Sequence, residues 1–218
     1  MGESSDITRI ALIDDHAIIH EGIAAWCADA DPPIEIFGAY VRLDIFLAEA
    51  PEVDVVVLDL QLDTRTPDLS GVQQLCERGY RVIVFSQHNG GELILECLDL
   101  GAVTYLWKAE GREHLIAAIH AARTDKPYLA PTMAKAINGD QAPGKPALSP
   151  REREVLVSWF QTESQAMVAK RLYIAPGTVK THLERVRTKY AAVGRSASTK
   201  AALVARAIQD GIITADEL

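Results

Sequence analysis

A strand pattern and a helix pattern alternate five times between residues 7 and 125, and this alternation constrains the fold more than any other feature. The strand segments are short apolar runs, such as VDVVVLDL at 53–60, which is typical of strands buried on both faces of a parallel sheet. The segments between them repeat apolar residues at helical spacing. We therefore predict a doubly wound α/β domain, with a five-stranded parallel sheet and helices on both faces.

The chain then changes character. Residues 126–147 contain four prolines and two glycines, which is typical of a linker. One short helical turn is expected there, around 133–137. The remaining segments show helical patterns only. We therefore predict two domains, at 1–125 and 148–218, joined by this linker.

The second domain carries a helix-turn-helix pattern. Its first helix is expected to begin at Ser149, since Pro150 and Glu152 follow at positions that favour a helix N-terminus. A short helix, a tight turn and a longer basic helix come next, which is the order found in DNA-binding helix-turn-helix proteins.

The two halves differ in charge. Through residue 126 there are 9 Lys and Arg against 22 Asp and Glu, a net charge of −13, and thereafter 13 against 8, or +5. The basic half favours nucleic acid as a partner. The chain shows no long uncharged apolar run and no basic signal-peptide region, and its three cysteines form no paired framework. A cytoplasmic protein without a membrane partner is expected.

Polar side chains follow the predicted strands where each one ends. Asp14 and Asp15 follow the first strand and Asp59 the third; Ser86 ends the fourth, and Lys108 follows the fifth. Each has a simple structural reading alone, but ligands of doubly wound sheets bind at this edge. Clustered carboxylates favour Mg²⁺, and an ammonium and a hydroxyl suit phosphate oxygens. Because a carboxylate can attack phosphorus, the set predicts a phosphoryl-accepting site.

These residues make 7–125 resemble the flavodoxin-like receiver domain of two-component response regulators. The resemblance is carried by LIDDH, VVLDL, VIVFS and GAVTYLWK. It implies that Asp59 accepts a phosphoryl group from a histidine kinase. It also implies that Tyr105 is a switch residue, which turns inward when Ser86 moves toward the phosphoryl group, while Lys108 pairs with a phosphate oxygen. The implied Mg²⁺ ligands are Asp14, Asp15, Asp59 and the backbone carbonyl of Gln61.

The loop after Asp59 departs from the family pattern. Pro67 lies eight residues beyond Asp59, which implies an insertion of about four residues beside the pocket, and Gln87 stands where relatives carry a small residue. These departures leave open an alternative, a DNA-binding protein whose receiver works without phosphorylation. An enzyme is not expected, because aspartate-based phosphotransferases commonly need a second carboxylate where this chain has Gln61. Gln61 and His88 are candidates to position the water of self-dephosphorylation.

Residues 148–211 resemble the LuxR-type helix-turn-helix domain of the NarL/FixJ class, through LSPREREVL, VAKRLYIAPGTVKTHLERVRTKY and KAALVARA. The resemblance implies sequence-specific binding to double-stranded promoter DNA and a homodimer formed through the last helix. Residues implied to face bases are Lys180, Thr181 and Glu184, and those implied to contact phosphates are Thr178, Arg185 and Lys189. Glu184 could accept a hydrogen bond from cytosine or be a solvated charge.

Overall fold

The N-terminal domain is built on a single parallel sheet. The computed structural model describes residues 7–62, 66–124, 126–139 and 144–218; part of the lengthened loop after Asp59, at 63–65, lies outside them. The strands are β1 Thr8–Ile13, β2 Ile34–Tyr40, β3 Val55–Leu58, β4 Val82–Ser86 and β5 Thr104–Trp107. Every pairing is parallel and the spatial order is β2-β1-β3-β4-β5, which confirms the predicted sheet.

Helices cover the sheet, and the central strand shows why its sequence is so apolar. The helices of this domain are α1 Ala17–Ala28, α2 Leu43–Glu49, α3 Ser70–Glu77, α4 Gly91–Asp99 and α5 Arg112–Arg123, with a 3₁₀ turn at Lys108–Glu110. All four residues of β3 are buried, so its alternate side chains pack against helices on opposite faces. α3 is followed by Gly79 at φ 86°, the left-handed conformation that glycine adopts after a helix end.

The linker contains a nine-residue helix, α6 Pro131–Gly139, where the sequence predicted only a short turn. Pro131 suits the first helical position, and Met133 and Ile137 are one turn apart and both buried. The Glu110 carboxylate accepts a hydrogen bond from the Thr132 amide at 2.7 Å, which fixes the start of the helix to the receiver domain. The segment is therefore a docked element rather than a free connection.

The C-terminal domain is entirely helical. Its helices are α7 Pro150–Phe160, α8 Gln165–Arg171, α9 Pro176–Ala192 and α10 Lys200–Gln209, with a closing 3₁₀ turn at Ala215–Glu217. The predicted N-terminal cap of α7 is present: Ser149 Oγ accepts from the Glu152 amide at 3.2 Å, and the Glu152 carboxylate accepts from the Ser149 amide at 2.7 Å. Within the described residues, no helix has the length and apolarity needed to cross a membrane.

The two domains contact each other through α10. This helix lies against α4 and α6, and every residue from Lys200 to Ala207 is buried. Arg206 binds the carboxylate of Asp99 at the end of α4, with a shortest distance of 2.6 Å. A second ion pair joins Lys126 to Glu163 at 2.5 Å.

Candidate functional site

The carboxylates Asp14 and Asp59 meet at the carboxyl edge of the sheet, as the sequence predicts. Each continues the ladder by one residue, since the Asp14 amide donates to the Tyr40 carbonyl at 3.0 Å and the Asp59 amide to the Ile13 carbonyl at 2.8 Å. The backbone therefore fixes both side chains beside one another. Both residues are 4% exposed, so their carboxylates lie in a largely desolvated pocket.

Lys108 supplies the positive charge of this pocket. Its ammonium lies 2.7 Å from Asp14 Oδ2 and 2.7 Å from Asp59 Oδ2. Burial raises the pKa of Asp59 above its ordinary value, although Lys108 opposes the shift. Burial alone would lower the pKa of Lys108, but the two carboxylates outweigh it and raise that pKa. The lysine is thus held charged between the two acids.

His16 is a member of the pocket that the sequence analysis did not single out. Its Nδ1 lies 2.7 Å from Asp15 Oδ1 and 3.1 Å from Asp14 Oδ1. Ligand atoms of Asp14, Asp15, His16 and Asp59 all lie within 4.8 Å of one another. Three carboxylates in such a cluster are the hard oxygen donors that Mg²⁺ prefers, so these residues fit the implied ion. The position of His16 directly after the acidic pair was the available signal.

Two glutamines and a histidine border the pocket. Gln87 Nε2 donates to Gln61 Oε1 at 2.5 Å, and His88 Nε2 lies 3.3 Å from the same oxygen. The structure therefore joins the loop after β3 to the loop after β4 beside Asp59. It brings together Gln61 and His88, the pair considered for positioning a water molecule. The predicted metal contact of the Gln61 carbonyl stays a prediction.

Ser86 and Tyr105 are fully buried behind the pocket. The Tyr105 hydroxyl donates to the His88 carbonyl at 2.7 Å, and the His88 amide donates to Ser86 Oγ at 3.4 Å. Burial raises the pKa of Tyr105 well above its ordinary value, so the phenol stays protonated as a donor. The aromatic side chain already points inward in this structure.

The basic helix α9 presents a polar outer face. Val179, Leu183 and Val186 are buried at helical spacing, so they form the inner face of α9. The residues on the opposite side are exposed, namely Thr178, Lys180, Thr181, Glu184 and Arg185. A helix with this division can lay one face in the major groove while the other holds it to the domain.

Three of the predicted DNA contacts, namely Lys180, Glu184 and Lys189, have charged partners within the domain. Glu184 lies 3.9 Å from Lys180, one turn away on the same helix, and both are exposed. Lys189 makes shorter contacts: its ammonium donates hydrogen bonds to the Glu152 carboxylate at 2.6 Å and to the Ala147 carbonyl at 2.9 Å. Lys189 therefore stabilises the start of α7, a role that its basic character did not indicate.

Comparison with known families assigns both halves of the chain. The family described as "Response regulator receiver domain" matches residues 10–120, and "Bacterial regulatory proteins, luxR family" matches residues 146–202. The chain therefore belongs to the two-component response regulators that carry a LuxR-type DNA-binding domain. Members of this family are transcriptional regulators and not enzymes.

Similar proteins cover nearly the whole chain. The probable transcriptional regulatory protein NarL of Mycobacterium tuberculosis is 29% identical, over 89% of this chain and 93% of its own. The transcriptional regulatory protein UhpA of Escherichia coli is 32% identical, over 79% and 86%. Among solved structures, the response regulator ChrA of a heme-sensing two-component system aligns with a TM-score of 0.50 and 28% identity, over 95% and 100% of the two chains.

A second solved structure supports the fold alone. RcsB of Salmonella enterica serovar Typhimurium, bound to the promoter rprA in the presence of a phosphomimetic, aligns with a TM-score of 0.54 and 18% identity. The alignment covers 91% of this chain and 97% of that one. The order of receiver domain followed by helical domain is thus shared with a protein captured on DNA.

Proposed function

We propose that transfer of a phosphoryl group from a histidine kinase to Asp59 controls dimerisation and operator binding by this regulator. The observation that carries the proposal is the position of Asp59 at the end of β3, 2.7 Å from the Lys108 ammonium and beside Asp14. We assign residues 1–125 to the phosphorylated domain, 126–147 to the linker and 148–218 to the DNA-binding domain.

The transfer chemistry needs few protein groups. A carboxylate oxygen of Asp59 attacks the phosphorus and the new O–P bond forms, while the P–N bond of the kinase phosphohistidine breaks and the imidazole leaves after taking up a proton from water. We expect Lys108 to bind an oxygen of the transferred group, and the Ser86 hydroxyl to donate to another. Asp14, Asp15 and Asp59, with the Gln61 carbonyl, would hold Mg²⁺, which neutralises phosphate charge when bound.

Phosphorylation would be communicated through the loop after β4. Ser86 ends this strand, and the loop that follows is tied to Tyr105 by the hydrogen bond to the His88 carbonyl. Movement of Ser86 toward a phosphoryl group would shift that carbonyl and with it the start of α4. Because α4 contacts α10, a change at Asp59 would reach the DNA-binding domain through α4.

The DNA surface and the dimer surface differ in accessibility. Thr178, Lys180, Thr181 and Arg185 are exposed on α9, so the recognition helix is open for base and phosphate contacts. The helix expected to form the dimer, α10, is covered. We infer that the resting chain is restrained chiefly at dimerisation, and that release of α10 permits binding to inverted half-sites.

The deciding experiment compares the full chain with Asp59→Asn. The proteins are incubated with Mg²⁺ and a small phosphodonor, then analysed by intact mass and by operator binding. Wild type should gain one phosphoryl group and bind DNA more tightly, and Asp59→Asn should do neither. DNA binding without a mass increase in wild type would instead support the second candidate, a regulator that works without phosphorylation, which the lengthened loop and the inward Tyr105 favour.

A further inference from the structure

A cavity of about 290 Å³ lies between the receiver domain and the DNA-binding domain. Four cationic side chains line it, and among the described lining residues none carries a carboxylate. The receiver domain contributes Arg81, the start of the linker contributes Lys126, and the DNA-binding domain contributes Arg187 and Lys200. The two halves of the chain have opposite net charges, yet the charged side chains that line this cavity are all positive.

Two of these cations are held in place by the DNA-binding domain. The Lys200 ammonium donates to the Thr162 carbonyl at 2.7 Å, and it lies 5.2 Å from the centre of the Trp159 ring. The Arg187 guanidinium lies 5.5 Å from the centre of the same ring. Lys200 is only 6% exposed, so its charge is preorganised and largely desolvated at the cavity wall.

The opposite wall of the cavity, formed by the receiver domain and the start of the linker, also carries cations. Lys126 is exposed and pairs with Glu163 at the edge of the interface. Arg81 is also exposed, and within the described part of the chain its guanidinium has no hydrogen-bond or ion-pair partner. A free guanidinium at the mouth of a cavity is suited to bidentate binding of an oxyanion.

Backbone amides add to the same positive field. Thr199, Lys200 and Ala201 line the cavity and form the N-terminus of α10, a helix of 10 residues. The Thr199 hydroxyl accepts from the Ala202 amide at 3.1 Å, which leaves the earlier amides of the helix for another acceptor. The partial positive charge of a helix N-terminus favours phosphate groups.

We propose that this cavity binds a small, multiply charged phosphate anion of the pyrophosphate type, and that the bound anion joins the two domains. The anion would cancel repulsion between the cations that the interface brings together, with Arg81 on one side and Lys200 with the α10 N-terminus on the other. The two halves of the site are adjacent only when the domains are in contact. Binding therefore stabilises the closed chain, by which we mean the arrangement in which the two domains touch. The further consequence, weaker operator binding, rests on the proposed function.

Binding is tested by titration calorimetry on the full chain with sodium pyrophosphate and with inorganic phosphate, at constant ionic strength and with EDTA. Wild type should bind one pyrophosphate per chain, and Arg81→Gln should weaken binding at least tenfold. Lys170→Gln removes an exposed lysine outside the cavity and should leave the affinity unchanged. Asp59→Asn should bind normally, which separates this site from the pocket at Asp59.

Three results would overturn the proposal: no binding by wild type, equal weakening in Arg81→Gln and Lys170→Gln, or loss of binding in Asp59→Asn. Small-angle scattering tests the second part of the proposal, that the bound anion joins the two domains. Saturating pyrophosphate should leave wild type compact at salt concentrations that expand the free chain, and it should not do so for Arg81→Gln. Neither measurement involves DNA or phosphorylation, so failure here is distinct from failure of the proposed function.

Discussion

Arg206 of α10 donates two hydrogen bonds to the carboxylate of Asp99 at the end of α4, at 2.6 and 2.9 Å. The pair joins the DNA-binding domain to the receiver domain across 107 residues of sequence. Arg206 is 7% exposed, so its guanidinium has little access to water and depends on this carboxylate. The closed arrangement therefore rests on a charged contact made by the helix that is expected to form the dimer.

We expect Asp99→Ala to open the chain and to raise operator affinity before phosphorylation, by roughly tenfold if about 1–2 kcal/mol of domain contact is lost. The substitution lies in the receiver domain and leaves α10 unchanged. Scattering should show a larger radius of gyration, and gel-shift titration should show the tighter binding. The matched control is Glu154→Ala, which breaks an exposed ion pair with Arg151 inside one domain. Similar behaviour of the two variants would contradict the role of Asp99.

Lys108→Ala should destabilise the protein by about 3 kcal/mol, because Asp14 and Asp59 then face each other in a desolvated pocket without their cation. Magnesium chloride should restore stability to this variant more than it stabilises wild type, since the ion would supply the missing positive charge. Urea denaturation with and without Mg²⁺ measures both effects. Lys135→Ala, at an exposed lysine on α6, serves as the control. Equal responses to Mg²⁺ in all three proteins would count against the predicted metal site.

Glu152 gives a prediction about pH. Burial alone would raise the pKa of Glu152, but hydrogen bonds from Lys189 and Ser149 lower it below the ordinary 4.5. A depressed pKa in the folded state means that the stabilisation is complete above pH 4.5 and is lost as the pH falls through the folded-state pKa. Glu152→Gln should therefore lower the free energy of unfolding by about 1–2 kcal/mol at neutral pH.

The difference between wild type and Glu152→Gln should shrink at lower pH, where the wild-type carboxyl group is also protonated. Urea denaturation across the acidic range measures it, with Glu154→Gln as a control at the exposed neighbour. A difference that stays constant into the acidic range would show that the charge of Glu152 is not what stabilises the start of α7.

Tyr173 lies in the turn between α8 and α9 with φ 53°, a left-handed conformation that is unfavourable for a large side chain. It is 95% exposed, so packing does little to compensate. Asparagine adopts this conformation more readily, and Tyr173→Asn should raise the free energy of unfolding by about 0.5–1 kcal/mol. Tyr173→Ala keeps the strain and should show no such gain. Urea denaturation of both variants distinguishes backbone strain from loss of the aromatic ring.

Much of the receiver pocket could be predicted, because a parallel sheet brings the residues after its strands to one edge. Asp14, Asp59 and Lys108 needed only the strand pattern to be placed together. The inward position of Tyr105 was not predicted, since the rotamer depends on a hydrogen bond to the backbone of His88. His16 was missed because the carboxylates alone accounted for the predicted metal site, although its position directly after the acidic pair was an available signal.

The contacts between domains could not be predicted from local patterns. Asp99 and Arg206 each look like ordinary charged residues near a helix end, and only the folded chain brings them together. The same holds for Lys189, whose basic helix suggested DNA while its partner Glu152 lies 37 residues earlier. The linker helix, by contrast, could have been predicted from local patterns, since Pro131 favours a helix start and Met133 and Ile137 are spaced by one helical turn.

The order of α5 and α10 along the chain has a consequence for biosynthesis. The last helix of the receiver domain ends at Arg123 and α10 begins at Lys200, 77 residues later. At ribosomal rates of about 5–20 residues per second, roughly 4–15 s separate the two. A nascent chain can thus complete its receiver domain while the surface of α4 that α10 later covers is still exposed to solvent. The contact made by α10 can form only after α10 has been synthesised, so a new copy of the protein passes through an open stage before its two domains first meet.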